Sequence, residues 1–273
     1  MYNPKVSIIM GIYNCENTLA EAIDSVLCQT YENWELILCD DNSKDDTYSI
    51  AAKYKERYPE KVVLLKNTVN KKLAATLNRC LEVATGEYIA RMDADDVNLP
   101  NRLEEEVLFL NAHKEIACVG AGMIIFDEKG DRSIRMEKEY PIKKCMIHNA
   151  PFAHPTIMMR KEVFDDLNGY KSSKETLRSE DLDLWFRFFS KGYKGYVIQK
   201  PLYRYRESIT DFQKRNLKAA WGTTKVFLCG YKLLNYPFYV YPFAFKPVLV
   251  SLIPNRVMYF YHFRKDRKCK LIK

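Results

Sequence analysis

Two acidic clusters in this chain have the residue types and spacing to handle a charged substrate: Asp40-Asp41 and Asp93-Ala94-Asp95-Asp96. A third polar segment, Gly11-Ile12-Tyr13-Asn14, lies further upstream. Carboxylates held close together repel one another unless a cation offsets them. Magnesium and manganese take oxygen ligands, and they commonly use one or two carboxylates plus the phosphates of a substrate. Asp45-Asp46 has a plainer reading, as a solvated loop that opens a helix.

The segments before these clusters explain how they could meet. Val6–Met10 is a short apolar run that reads as a buried strand, and Leu19, Ile23, Val26 and Leu27 follow at helical spacing. Glu35–Cys39 is a second strand ending at Asp40-Asp41. A helix from Asp46/Thr47 carries Ile50, Ala51, Tyr54 and Tyr58, and Val62–Leu65 is a third strand. Leu77, Leu81 and Ala84 mark a third helix, and Tyr88–Ala90 begins a fourth strand that runs into Asp93. Such alternation predicts an α/β fold with a mostly parallel sheet covered by helices on both faces. Ligands of open α/β sheets bind at the carboxyl ends of the strands. All three polar segments fall there.

Beyond Pro100 a helix with Leu103, Val107, Leu108 and Leu110 precedes two strand-like runs, Ile116–Val119 and Met123–Phe126. Loops are expected to dominate residues 130–180. Leu182, Trp185, Phe186 and Phe189 then form a helical stripe. A dinucleotide fingerprint G-x-G-x-x-G is absent after the first strand, and so is a P-loop. The sequence therefore points to phosphates held through metal rather than in a glycine cradle.

The charge of +8 is unevenly spread. Residues 200–273 hold 16 basic and 3 acidic side chains, a balance of +13, which leaves residues 1–199 at −5. An acidic body with a basic end argues against a nucleic-acid binder. With 47% hydrophobic residues the chain can bury a large core. Its eight cysteines form no C-x-x-C pair, several lie in apolar runs, and a reduced, cytoplasmic setting is expected. The apolar run before Gly11 is too short for a signal peptide. The longest charge-free stretch near the C-terminus, Leu233–Phe245, is broken by Pro237 and Pro242, so no membrane span is expected.

Taken together, the segments resemble the family 2 glycosyltransferases, inverting enzymes of the GT-A fold. The resemblance rests on Val6–Asn14, Ser25–Tyr31, Glu35–Ser43, Gly86–Asp96, His154-Pro155-Thr156 and Ser179–Trp185, in order, over roughly residues 4–210. It implies a Rossmann-like GT-A catalytic domain over 1–215, with a nucleotide-binding half to about residue 100 and an acceptor half from about 101. Residues 216–273 would form a C-terminal aromatic and basic helical extension. Asp41 would bond the uracil of a UDP-sugar, with Gly11, Ile12 and Tyr13 completing the base pocket. Asp95 would ligate Mn2+ or Mg2+, and Asp93 would lie by the ribose and metal. Asp181 matches the catalytic base, with Glu180, Trp185 and His154 on the acceptor side.

Those roles suit a single in-line displacement. A divalent cation neutralises the departing diphosphate, and a carboxylate about 2.6–3.2 Å from the acceptor hydroxyl takes its proton. Two departures stand out. Where the family often reads N-x-G the chain has Asn70-Lys71-Lys72, and where many relatives place a metal-ligating histidine it has Tyr203-Arg204-Tyr205-Arg206. Arginine cannot ligate metal but can pair with phosphate. The third metal ligand is thus open, with His154 as a candidate against its reading as a structural, hydrogen-bonded histidine.

Eleven aromatic residues between Tyr231 and Phe263, followed by six basic ones from Arg264 to Lys273, suggest contact with the inner face of a membrane. The expected acceptor is then a saccharide on a polyprenyl diphosphate, as in bacterial surface-polysaccharide assembly. Packing of the aromatics on the catalytic domain is the plainer alternative. Two other functions compete: transfer to a soluble or protein acceptor, and a non-catalytic nucleotide-sugar-binding scaffold.

Overall fold

A computed structural model describes residues 2–207 and 217–253. The expected alternation is present: β1 (Val6–Ile12), α1 (Leu19–Leu27), β2 (Trp34–Asp40), α2 (Thr47–Arg57), β3 (Val62–Lys66), α3 (Leu73–Val83) and β4 (Tyr88–Arg91). After β5 (Val97–Asn98) and α4 (Arg102–Ala112) come β6 (Cys118–Asp127), β7 (Gly130–Arg135), β8 (Met158–Arg160), α5 (Lys161–Asp166), α6 (Glu180–Ser190) and β9 (Gly195–Arg206). Helix α7 (Leu217–Leu233), a 3-10 segment (Phe238–Phe245) and α8 (Lys246–Ser251) end the described chain.

The sheet runs β3-β2-β1-β4-β8-β6-β9-β5, with β7 paired to β6. Strands β1 to β4 are parallel, as are β6 and β9, while β8 is antiparallel to β4 and β6. This is the expected α/β, Rossmann-like sheet. Because strand side chains alternate between faces, Ile9, Ile37 and Ile89 point to a core shared with α3 and α6. Val6, Ile8, Leu36 and Leu38 point to the opposite core, under α1 and α4. Both faces are covered, which is why these strands read as unbroken apolar runs.

Two expectations need correction. The runs Ile116–Val119 and Met123–Phe126 belong largely to one strand, β6, whose register shifts around Ala121, Gly122 and Met123. A Cβ at Gly122 would meet the end of the Met136 side chain and lie 3.0 Å from the Lys200 carbonyl, and this tight glycine breaks the apolar pattern without breaking the strand. Residues 130–180 also hold more than loops, namely β7, β8 and α5. Gly130, at φ +106, turns the chain into β7.

The extension does not stand apart. On α7, Phe227 and Tyr231 stack edge-on with Phe186 of α6, and Gly230 sits against that same ring. The Tyr231 hydroxyl donates to the Ile147 carbonyl at 2.6 Å. The last aromatics and the basic cluster of the sequence, Tyr259–Lys273, lie outside the described residues. No helix among the described residues is long and apolar enough to cross a membrane. The seven cysteines in the described residues are all free.

Candidate active site

The loops at the carboxyl ends of β1, β2 and β3 lock to one another. Asp41 donates its N–H to the Ile12 carbonyl at 2.9 Å, and Asn67 donates its N–H to the Asp40 carbonyl at 2.7 Å. The Asp41 carboxylate accepts three hydrogen bonds: from Asn67 Nδ2 (2.8 Å) and the backbone N–H groups of Lys71 (2.7 Å) and Lys72 (2.9 Å). A carboxylate has about four acceptor positions, so it retains room for one more donor. Asn14, Asn42 and Lys72 all have positive φ in these loops. Gly11 lies close against Leu73 and Thr76 of α3, where a Cβ would find its nearest atom at 3.0 Å. Ile12 is buried and can contribute only backbone, whereas Tyr13 is 48% exposed with an accessible ring.

At the end of β4 the carboxylates of Asp93, Asp95 and Asp96 place ligand atoms within 4.8 Å of one another. Arg91 makes a bidentate ion pair with Asp93. From below, the buried Arg102 donates to the Arg91 carbonyl (2.9 Å) and to Asn98 Oδ1 (2.6 Å), holding the loop's base. Asp96 is buried; its Oδ1 accepts the Arg206 N–H at 2.7 Å, while its Oδ2 has no hydrogen-bond partner. Burial, then Asp93 and Asp95, raise its carboxyl well above the usual range. An orphaned buried oxygen within a cluster of hard carboxylate donors fits a magnesium or manganese ion. Asp93 and Asp95 were expected here. Asp96 is the further ligand candidate, and the sequence signal for it was its place in the same run.

Glu180 and Asp181 open α6, the helix end that favours negative charge. Burial, then Asp181, pushes the Glu180 carboxyl up to about 7, and burial also raises Asp181. Arg91's positive charge acts on both carboxyls and opposes these shifts. Burial weakens the Arg91 charge, but Asp93 overrides this and holds the guanidinium above its ordinary pKa. Arg91 thus couples the Asp93 cluster to the carboxylates of α6. Sequence reasoning gave it no role, because only the fold brings α6 to β4.

His154 and Trp185 sit behind these carboxylates. Trp185 is 0% exposed and packs on Phe152, His154 and Phe188. The buried His154 bonds the Tyr170 hydroxyl through Nε2 at 2.9 Å. Burial, then Arg91, lowers its pKa well below the ordinary value, so the ring is neutral. His154 is not part of the Asp93–Asp95–Asp96 group. Its Nε2 is hydrogen-bonded, while its Nδ1 is buried without a hydrogen-bond partner among the described residues. A cavity of about 370 Å³ elsewhere is lined by Lys138, Ile142, Lys144 and His148 among others, and by none of these site residues.

Comparison with known proteins agrees with this geometry. The profile of Glycosyl transferase family 2 matches residues 7–167, and that of Glycosyl transferase family group 2 matches residues 88–264. EpsE of Bacillus subtilis, a protein assigned to the glycosyltransferases, is 46% identical over 259 residues, covering 95% of this chain and 93% of that protein. The Escherichia coli UDP-Glc:alpha-D-GlcNAc-diphosphoundecaprenol beta-1,3-glucosyltransferase WfaP is 33% identical over 193 residues, or 70% of this chain and 72% of WfaP. Among solved structures, S. aureus TarS 1-349 in complex with UDP superposes with a TM-score of 0.64 at 20% identity, covering 85% of this chain and 71% of that one. The mannosyltransferase PcManGT of Pyrobaculum calidifontis, in complex with GDP-Man and Mn2+, gives 0.63 at 19% identity, covering 96% and 80%. The chain belongs to glycosyltransferase family 2, has the GT-A fold, and is related to the glycosyltransferases of polysaccharide and O-antigen biosynthesis.

Proposed function

We propose that the protein is an inverting hexosyltransferase that moves a sugar from a UDP-sugar to a hydroxyl of a lipid-diphosphate-linked saccharide. The observation that carries this reading is that Arg91 links two carboxylate groups: it ion-pairs with Asp93, which clusters with Asp95 and Asp96, and its charge acts on Glu180 and Asp181. One group suits a diphosphate, the other a nucleophile's proton. Asp41 accepts from the uracil, Gly11 and Ile12 shape the base pocket with their backbone, and the Tyr13 ring covers it. Asp93, Asp95 and Asp96 would hold Mn2+ or Mg2+, and the ion would supply Lewis-acid neutralisation of the leaving diphosphate. Asp181 takes the proton of the attacking hydroxyl on the face opposite the leaving group, which inverts the anomeric centre. Glu180 lies beside the acceptor, and His154 and Trp185 support the acceptor side from behind.

The acceptor class is supported by the likeness to WfaP, whose acceptor is a diphosphoundecaprenol-linked sugar. Residues 216–273 would serve as the membrane-facing extension of a catalytic domain over 1–215, at the cytoplasmic face of the plasma membrane. Replacing Asp181 with Asn tests the core of the reading. Transfer is expected to fall at least about 10³-fold, while UDP affinity changes less than about twofold. Turnover near the wild-type rate would reject Asp181 as the base. A donor screen with manganese identifies the sugar, and NMR of the product anomer checks the inversion.

A further inference from the structure

Arg206, the last residue of β9, touches the acidic cluster at two points and Glu21 of α1 at a third. Its N–H donates to Asp96 Oδ1 at 2.7 Å, its Nε donates to the Asp95 carbonyl at 2.8 Å, and a terminal nitrogen pairs with Glu21 of α1. The guanidinium lies over the Phe126 ring, 4.4 Å from its centroid. Arg91 ion-pairs with Asp93, while the Arg206 guanidinium meets the cluster through the Asp95 main-chain carbonyl.

The two ends of this side chain are held unequally. The Nε end is fixed by a main-chain carbonyl and an aromatic face. Among the described residues the far end pairs with Glu21, whose side chain is 51% exposed, and an exposed ion pair contributes little. The diphosphate of a sugar nucleotide carries two negative charges against the one of that carboxylate, and its paired oxygens suit the guanidinium fork. We propose that Arg206 is a diphosphate-binding residue of the donor site. On arrival of the sugar nucleotide its terminal nitrogens leave Glu21 for the phosphate oxygens, while Nε stays on the Asp95 carbonyl. Part of the leaving group's charge is then met by a cation that cannot dissociate, and nucleotide affinity depends less on the divalent ion. This rests on the donor reading above.

The test is equilibrium binding of UDP and of uridine to the full chain, each with Mn2+ and with EDTA, for the wild type, Arg206→Ala, Arg206→Lys and Glu21→Gln. The wild type should bind UDP measurably in EDTA. Arg206→Ala should weaken that binding about tenfold or more, the loss of a charge-assisted hydrogen bond, and leave uridine unchanged. Arg206→Lys should recover part of the loss, and Glu21→Gln should tighten UDP by freeing the guanidinium. If Arg206→Ala weakens UDP and uridine alike, the residue only supports the loop and the proposal fails. It also fails if the wild type needs Mn2+ to bind UDP at all, or if Arg206→Ala binds UDP in EDTA as the wild type does. A wild type that binds neither UDP nor uridine would overturn the donor reading itself.

Discussion

Glu180 and Asp181 are chain neighbours at the start of α6, where burial raises both carboxyls and Asp181 adds to the rise of Glu180. Glu180 is pushed from an ordinary 4.5 up to about 7. Between those values the folded protein keeps a proton that the unfolded chain has shed. Stability from this group is therefore lost as pH rises from 4.5 to 7, and the penalty is complete above 7. Glu180→Gln removes the penalty. The variant should melt higher than the wild type at pH 8, by about 1–2 kcal/mol after allowance for partial exposure, and almost with it at pH 4.5. Equal melting shifts at both pH values would show that the carboxyl is not raised. At this scale the sequence disclosed residues whose chemistry lies in their own type and order: Asp93, Asp95 and the Glu180-Asp181 pair. It was silent on Arg91 as the coupling charge and on Tyr170 as the partner of His154. Those roles arise from contacts between residues far apart in the chain, such as 154 with 170 or 91 with 181.

The elements were more readable than their irregularities. β1, β2 and α3 follow from apolar periodicity because each is buried on a face that repeats. β6 was split in the reading because Gly120-Ala121-Gly122 supplies no apolar bulk, although the backbone pairs across it. The start of α3 is another irregularity. Lys72, where the family often has glycine, sits at φ 72° and ψ 166°, a region that glycine occupies almost alone. What holds it there is the grip of the Lys71 and Lys72 N–H groups on Asp41. The loop around Asp41 is thus shaped at the cost of backbone strain. Lys72→Gly should relieve that strain and raise stability by about 1 kcal/mol, read as an upward shift in thermal melting, with UDP affinity kept. Lys72→Val, branched at Cβ, should destabilise. A lower melting temperature for Lys72→Gly would show that the conformation is not strained.

At the scale of the whole molecule, the fate of the C-terminal aromatics splits along the chain. Tyr231, Val240 and Ala244 are buried and join the core beneath α6, as the packing alternative expected. Phe238 and Tyr239 are 88% and 79% exposed, and Phe243, Leu249 and Leu252 are also open to solvent. Exposed apolar side chains close together in the chain suit a contact surface if they form one patch. Lys232 and Lys246 lie on the same stretch, within a C-terminal part whose balance is +13. Aromatic rings settle at the headgroup level of bilayers, and each nearby lysine adds about 1 kcal/mol of attraction to anionic lipid. The protein should therefore cosediment with vesicles containing phosphatidylglycerol and much less with neutral phosphatidylcholine vesicles, and added salt should weaken the binding. Changing Phe238, Tyr239 and Phe243 together to Ser should release it from both. Because these side chains add little to the core, the melting temperature and hydrolysis of a soluble UDP-sugar should stay near wild type. Turnover of a lipid-linked acceptor should fall, since the acceptor's concentration near the site is set by the membrane. Retention of the triple variant on anionic vesicles would assign the attachment to the basic end alone, and loss of soluble-donor hydrolysis would mean that the rings serve the catalytic core instead.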